Sequence, residues 1–361
     1  MRIGVFDPYL DDVGGGEKYM MLLAECLAKK HDVTVFWDSD EDFIAVKKRF
    51  NLSLDQVKRT QSIFSPGFNI FHKVKALQNY DAFIILSDGS IPFVFPKKLF
   101  LHIQQPLVRG HLRFKDKIKL KHISAIFYNS QFTKQFNDQL FSGVNSVVIY
   151  PPVSLQNFKD NHLRLIKKEK IIIHVGRFRV KNLAVGDYKK QGFMVDSFKK
   201  LVDEGLKGWK FILASSVKDE DMQAFNVLKT NAKNYPIEFQ VNKSNREVFE
   251  IYAKAKIYWH ASGFGENLEL HPELAEHFGM TTVEAMGAGV VPVVINAGGQ
   301  KEIVTNEKDG LLWDTQEELL SMTNRLIDNE SLWHKLSENA KQHAKDFTKE
   351  KFEESINKLI K

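Results

Sequence analysis

Glu276-His-Phe-Gly-Met-Thr-Thr-Val-Glu284-Ala-Met-Gly-Ala-Gly289 runs straight into Val290-Val-Pro-Val-Val294 and then Asn296-Ala-Gly-Gly-Gln300. The order is a loop, a short helix over 279–288, a buried strand over 291–294 and a second glycine turn. Such an order belongs to an α/β protein built on parallel strands. Gly279 opens the helix, whose first N–H groups have no intrahelical partner and form an anion site. Val283, Gly287 and Gly289 let the helix pack closely on a sheet. Glu284 is then a carboxylate held mid-helix on a buried face, which is costly unless something hydrogen-bonds to it. A ribose diol meets that need. Glu276 lies in the loop, with seven residues between it and Glu284.

The same alternation extends in both directions. Downstream of residue 169 strands are expected at 170–175, 209–214, 236–239, 255–260 and 291–294. Helices are expected there at 189–204, 219–232, 244–253, 279–288 and 315–328. Upstream, strands are expected at 2–6, 32–37, 82–86, 98–103, 124–128 and 146–149, with helices at 16–29 and 130–141. Between the halves, Tyr150-Pro-Pro-Val153 stops regular structure and the polar stretch 154–169 reads as a linker. The tail, about 330–360, reads as helical through Leu332, Leu336, Phe347, Phe352 and Ile356. At 361 residues the chain exceeds the ~250–300 at which single cores usually split, so two domains are expected. Ligands of open parallel sheets bind outside the carboxyl ends of the strands, which points to a cleft between the halves.

Composition excludes several classes. Hydrophobic residues make up 43% and charged residues 27%, ordinary globular values that argue against wholesale disorder. No apolar run approaches the ~20 residues needed to span a bilayer, and Met1 leads directly into the strand-like Arg2-Ile-Gly-Val-Phe6 without a signal segment. A single cysteine, Cys26, forms no intramolecular disulfide or cysteine-rich zinc site; on an apolar helix it reads as core. The expectation is a cytoplasmic protein. The net charge of +6 is unevenly placed: Lys97 to Lys134 holds nine basic residues against the one acid, Asp116. Such a field attracts phosphates, and a solvated lysine-rich surface is the plainer alternative.

Two further motifs fit a phosphate-bearing ligand. Gly14-Gly15-Gly16-Glu17 follows the first strand and opens a helix, where backbone can approach an anion; a plain tight turn would look the same. Gly176-Arg177-Phe178 ends the strand 170–175, and Lys189-Lys190-Gln191 opens the next helix. Two fixed cations match a diphosphate, or they are surface charges on a long loop. Two other signals carry less. Asp38-Ser39-Asp40 mimics an Asp-x-Asp metal site but reads as a solvated acidic loop. His271 and His277 lack the helical spacing of a zinc pair.

Taken together, these motifs resemble the Glu-x7-Glu signature of the family 4 retaining glycosyltransferases of the GT-B fold, with Gly14–Glu17, Gly176–Phe178, Lys189 and Gly298-Gly299 in the family's order. The phrase Glu276-His-Phe-Gly, with His102 and Tyr-Pro-Pro-Val, resembles mannosyltransferases acting on lipid-linked oligosaccharides. The resemblance implies two Rossmann-like parallel-sheet domains facing across a cleft. Residues 1–152 form the acceptor side, 153–340 the donor side, and the helix 341–361 crosses back to the first domain. It implies that Arg177 and Lys189 grip the donor diphosphate, with the sequence leaving Lys189 and Lys190 undecided. The loop of eleven residues between Arg177 and Lys189 is longer than the shortest family versions. Glu276 contacts hydroxyls of the transferred sugar and Glu284 the ribose. Backbone N–H groups of Phe278, Gly279, Met280 and Thr281 hold sugar and phosphate. Gly15 and Gly16 close over the diphosphate, and His102, in Leu101-His-Ile-Gln-Gln-Pro106, faces the sugar.

The implied reaction moves a hexose, with a lean toward mannose from GDP-mannose, to a glycan or lipid-linked hydroxyl with retained configuration. No carboxylate is clearly placed as a covalent nucleophile, so front-face attack is preferred, with no metal and no further cofactor. A GT-B nucleotide-sugar epimerase and a non-catalytic nucleotide-sugar binder are the rivals. Arg109, Arg113, Lys115, Lys117, Lys119 and Lys121, interleaved with Phe114, Ile118 and Leu120, are the expected acceptor or membrane patch. Nucleic acid is a weaker partner, because no recognition module accompanies the charge.

Overall fold

The computed structural model describes residues 1–12, 14–65, 67–94, 96–107, 114–155, 158, 161–180 and 186–361. They form two compact units, Met1–Pro152 with Lys349–Lys361, and Val153–Thr348.

The first unit runs β1 (Arg2–Phe6), α1 (Gly15–Ala28), β2 (Asp32–Phe36), α2 (Asp40–Phe50), β3 (Val57–Thr60), α3 (Ile70–Leu77) and β4 (Ala82–Leu86). It continues β5 (Lys98–Ile103), α4 (Phe114–Leu120), β6 (Ile123–Tyr128), α5 (Gln131–Asn137) and β7 (Ser146–Val148). The seven strands lie in the order β3-β2-β1-β4-β5-β6-β7, every neighbouring pair parallel. Ile3, Val5, Val33 and Val35 pack with α1 on one face, and Phe83, Ile85, Leu99 and Leu101 pack on the other. Two-faced burial of this kind is why the strands read as apolar runs without alternation.

The second unit runs α6 (Asn161–Arg164), β8 (Ile171–Phe178), α7 (Gln191–Asp203), β9 (Lys210–Val217), α8 (Met222–Asn231), β10 (Ile237–Val241), α9 (Asn245–Lys254) and β11 (Ile257–His260). After it come α10 (Met280–Gly287), β12 (Val291–Ile295), α11 (Gln300–Ile303), β13 (Leu311–Trp313), α12 (Gln316–Asp328) and α13 (Glu330–His343). Its sheet order is β10-β9-β8-β11-β12-β13, again parallel. Helix starts carry the expected caps. Ser244 and Thr315 each form a capping box with the glutamate three residues on, Glu247 and Glu318, satisfying N–H groups that the helix cannot.

The tail departs from a single helix over 330–360. Trp333 and Leu336 belong to the second unit's core, the Phe347 carbonyl accepts from the Val153 N–H at 2.8 Å, and Thr348 is extended. The return to the first unit therefore begins at Lys349, so residues 341–348 remain with the second. There α14 (Lys349–Ile360) buries Phe352, Ile356 and Ile360 at four-residue spacing, each worth about 1.5–3 kcal/mol. Phe352 meets Tyr19 of α1 edge-on at 5.0 Å, and Lys349 pairs with Glu25 at 2.6 Å. Two strands and five helices were absent from the sequence reading. β3, with only Val57 buried, is a polar edge strand, and β13 has three residues. Among the helices, α2 begins in the acidic run after Asp38; there Ser39 caps it by accepting from the Asp42 N–H. The other four are the short α3, α4, α6 and α11.

Candidate active site

The carboxyl ends of β8 and β11 and the start of α10 bring the second unit's motif residues together. Residues 186–190 turn tightly into α7. Gly186 has φ 64° and Lys190 φ 57°, while the Asp187 carboxylate accepts from the Gly192 N–H at 2.7 Å. This turn sends the two lysines to different carboxylates. Lys189 Nζ lies 2.5 Å from Glu276 Oε2, whereas Lys190 pairs with Glu266. Arg177, at the exposed end of β8, is near enough for its charge to oppose that of Lys189.

Glu276 is held from behind by the glycine turn. Gly299 N–H donates to the Glu276 carbonyl at 2.7 Å. Gly298 has φ 59°, and a Cβ there would strike that carbonyl. The carboxylate takes a second donor on the same oxygen, His260 Nε2 at 2.8 Å. Burial alone would push its pKa up. The Lys189 ammonium and His260 outweigh burial and hold Glu276 well below the usual carboxylate range. For Lys189, burial works against the charge, but Glu276 and the Tyr188 phenol raise it overall. The pair is ionised, with side chains 12% and 19% exposed.

The helix start is equally determined. Gly279 has φ 115°, a region that favours glycine, and a Cβ there would lie 2.5 Å from Gln300 Nε2. Gln300 in turn accepts from the Thr282 hydroxyl at 2.9 Å. Phe278 is buried against Phe347, ring centroids 5.5 Å apart. Met280 and Thr281 are half-buried, and the Tyr258 hydroxyl lies 2.8 Å from Thr281 Oγ1. Glu284, half-buried on α10, lies against the Tyr252 phenol, which burial first and then Glu284's charge keep protonated well above its ordinary range.

The remaining predicted residues lie in the first unit. Gly15 and Gly16 are the opening residues of α1, whose Gly14 N–H is capped by Glu17 at 2.5 Å. A Cβ at Gly16 would meet the Gln104 side chain at 2.6 Å. His102 is fully buried and stacked between Tyr19 (4.1 Å) and Phe127 (4.4 Å). Its Nδ1–H donates to the Phe127 carbonyl at 2.9 Å and burial lowers its pKa to about 3. It is a neutral core imidazole whose Nε2 has no partner.

The basic stretch divides. Lys119 turns inward, donating to the Ile91 carbonyl at 2.8 Å and to Asp116, and Lys98 donates to the Ile360 and Lys361 carbonyls. Lys97 and Lys134 pair with Asp81 and Asp138. Lys117 and Lys121 are exposed. Arg109, Arg113 and the Lys115 side chain lie outside the described residues.

Motif reading missed His260, His174 and Glu266. His260 closes an apolar strand run and was legible only as a strand residue. Glu266 and His174 carried no local signal at all.

Residues 156–343 match the model of the glycosyl transferases group 1 family, and the chain belongs to that family. The protein is a glycosyltransferase of GT-B fold. It is 21% identical, over the whole chain and 84% of the relative, to the Dictyostelium discoideum GDP-Man:Man(3)GlcNAc(2)-PP-Dol alpha-1,2-mannosyltransferase. The Xenopus tropicalis protein of the same description is 29% identical over 47% of this chain, a match spanning 34% of that protein. Among solved structures, Anabaena HepE in complex with UDP superposes with a TM-score of 0.73, covering 99% of each chain at 17% identity. That likeness is one of fold. No described helix is long and apolar enough to cross a membrane.

Proposed function

We propose that the protein transfers a mannosyl group from GDP-mannose to a hydroxyl of a glycan or lipid-linked acceptor, with retention and without a metal. The observation that carries this is the ionised Lys189–Glu276 pair, buttressed by His260, beside Arg177 and the open N-terminus of α10. In this reading two cations serve a diphosphate, the anchored carboxylate serves sugar hydroxyls, and the first N–H groups of α10 serve the charge that grows on the leaving phosphate. Glu276 is a poor covalent nucleophile, because two N–H donors on its Oε2, from Lys189 and His260, draw charge off the carboxylate. Front-face attack, with the departing phosphate receiving the acceptor proton, needs no such nucleophile. The names of the two mannosyltransferase relatives support the donor.

Calorimetric titration with GDP, UDP and ADP in EDTA tests the site. Tight binding of GDP is expected, weakened about 10–100-fold in Arg177→Ala, the worth of a lost charge-assisted contact. Preference for UDP would transfer the donor assignment to a uridine sugar. Binding of none would overturn the reading.

The lipid-linked acceptor rests on the first unit's surface. Lys117 and Lys121 are exposed beside Ile118, which is 49% exposed, a combination suited to anionic headgroups. Flotation with anionic liposomes at low salt is expected, lost at high salt and in Lys117→Glu/Lys121→Glu. Failure to float at low salt would remove the peripheral-membrane part of the proposal.

A further inference from the structure

Two fully buried histidines stand behind Glu276. The carboxylate can only accept, so the proton on His260 faces it from Nε2 at 2.8 Å, and Nδ1 is left as a buried lone pair with no partner. On β8, His174 Nδ1 must donate to the Trp259 carbonyl at 2.9 Å, which leaves its Nε2 as a second buried lone pair with no partner. The ring centroids are 6.0 Å apart. Buried polar atoms are rarely left unsatisfied without a reason. Each of the two neutral imidazoles leaves one buried acceptor nitrogen without a partner.

The surroundings explain why His260 Nδ1 carries no proton in the free protein. His260 faces Glu276, Lys189, His174, the Tyr258 ring and Ser262 Oγ, the last at 3.5 Å from its Nε2. Burial lowers its pKa, Glu276 works the other way and Lys189 lowers it again. The Lys189–Glu276 pair is already balanced in charge, so a third charge gains little.

A nucleoside diphosphate changes that balance. Lys189 has three N–H groups and one binding carboxylate, so it can turn donors toward phosphate, and the anion makes the local charge negative. A unit charge about 6 Å away shifts a protonation equilibrium in a protein by about two powers of ten. We propose that His260 is a positioning residue that takes up one solvent proton at Nδ1 when a nucleoside diphosphate engages Lys189, keeping Glu276 ionised and fixed while its lysine is shared. This rests on the nucleotide-sugar reading above. The imidazolium would then hold Glu276 by a charged hydrogen bond, stronger than the neutral one.

The test is calorimetric titration of the full chain with GDP near pH 7.5 in two buffers of different protonation enthalpy. Wild-type protein is expected to take up a sizeable fraction of a proton per nucleotide, and its affinity is expected to fall as pH rises. His260→Gln keeps an N–H for Glu276 but cannot titrate. It should bind GDP within about tenfold of wild type with the proton uptake gone. Protonation of the nucleotide itself is common to both proteins and cancels in the comparison. Equal uptake in wild type and His260→Gln, or binding by wild type with no uptake, would overturn the inference alone. Absence of GDP, UDP and ADP binding would overturn the nucleotide-sugar reading and the inference with it. Should His260→Gln fail to fold, His260→Asn takes its place in the same comparison.

Discussion

Glu276→Gln is expected to abolish transfer to about 10³-fold below wild type and to lower the melting temperature together. The substitution keeps the shape and removes the charge. Lys189, 12% exposed, then holds an ammonium with no carboxylate, and His260 loses its acceptor for one that also carries an NH₂. Breaking a buried pair from one side costs about 3–5 kcal/mol. For a unit of this size each kcal/mol is worth about 2–4 °C in Tm. The double substitution Glu276→Gln/Lys189→Met separates the two effects, since it removes the stranded charge as well. Most of the Tm should return and none of the transfer. An unchanged Tm in Glu276→Gln would mean that the pair is not ionised in the free protein.

Gly299→Ala should be nearly as damaging, for a steric reason. A Cβ there would sit 2.5 Å from Phe278 Cα and 2.6 Å from the His277 and Phe278 carbonyl oxygens. These are backbone atoms, so no side chain can swing aside. The segment 276–278 must move, and with it the Gly299 N–H bond to the Glu276 carbonyl. Overpacking of this kind costs about 1–3 kcal/mol, and a misplacement of about 1 Å in a positioned group can cost about 10²-fold in rate. Gly192→Ala is the control. Its Cβ would make only ordinary contacts, nearest 3.7 Å, in the first turn of α7, where alanine favours the helix by up to about 1 kcal/mol over glycine. Stability and transfer equal to or above wild type are expected there. Loss of transfer in both variants would place the sensitivity in glycine content generally and not in the 276–278 contact.

The chain's own order carried much of this. Arg177, Lys189, Glu276, Gly279 and Glu284 were all named from motifs, because each motif holds a strand end or a helix start, and such ends are marked by glycines and apolar runs. The choice between Lys189 and Lys190 was not legible. They are neighbours in sequence, and their partners Glu276 and Glu266 lie 87 and 76 residues away. The basic stretch was over-read for the same reason. The Ile91 carbonyl that takes Lys119 lies 28 residues away, so that lysine is less exposed than the sequence suggests. His260 escaped notice because inside an apolar strand a histidine looks like any other buried residue until a carboxylate is found opposite its ring.

Two parallel-sheet units, a junction near Pro152 and motif-bearing loops at strand carboxyl ends follow from local pattern. Hydrophobic period, glycine and proline act over a few residues, and those are read directly along the chain. The identities of the charge pairs, the neutrality of His102 in the core, and the orphaned nitrogens of His174 and His260 required the folded chain. Electrostatic partnership and desolvation depend on separations of a few ångströms between loops that follow different strands, and only the folding of those strands into one sheet brings such loops together.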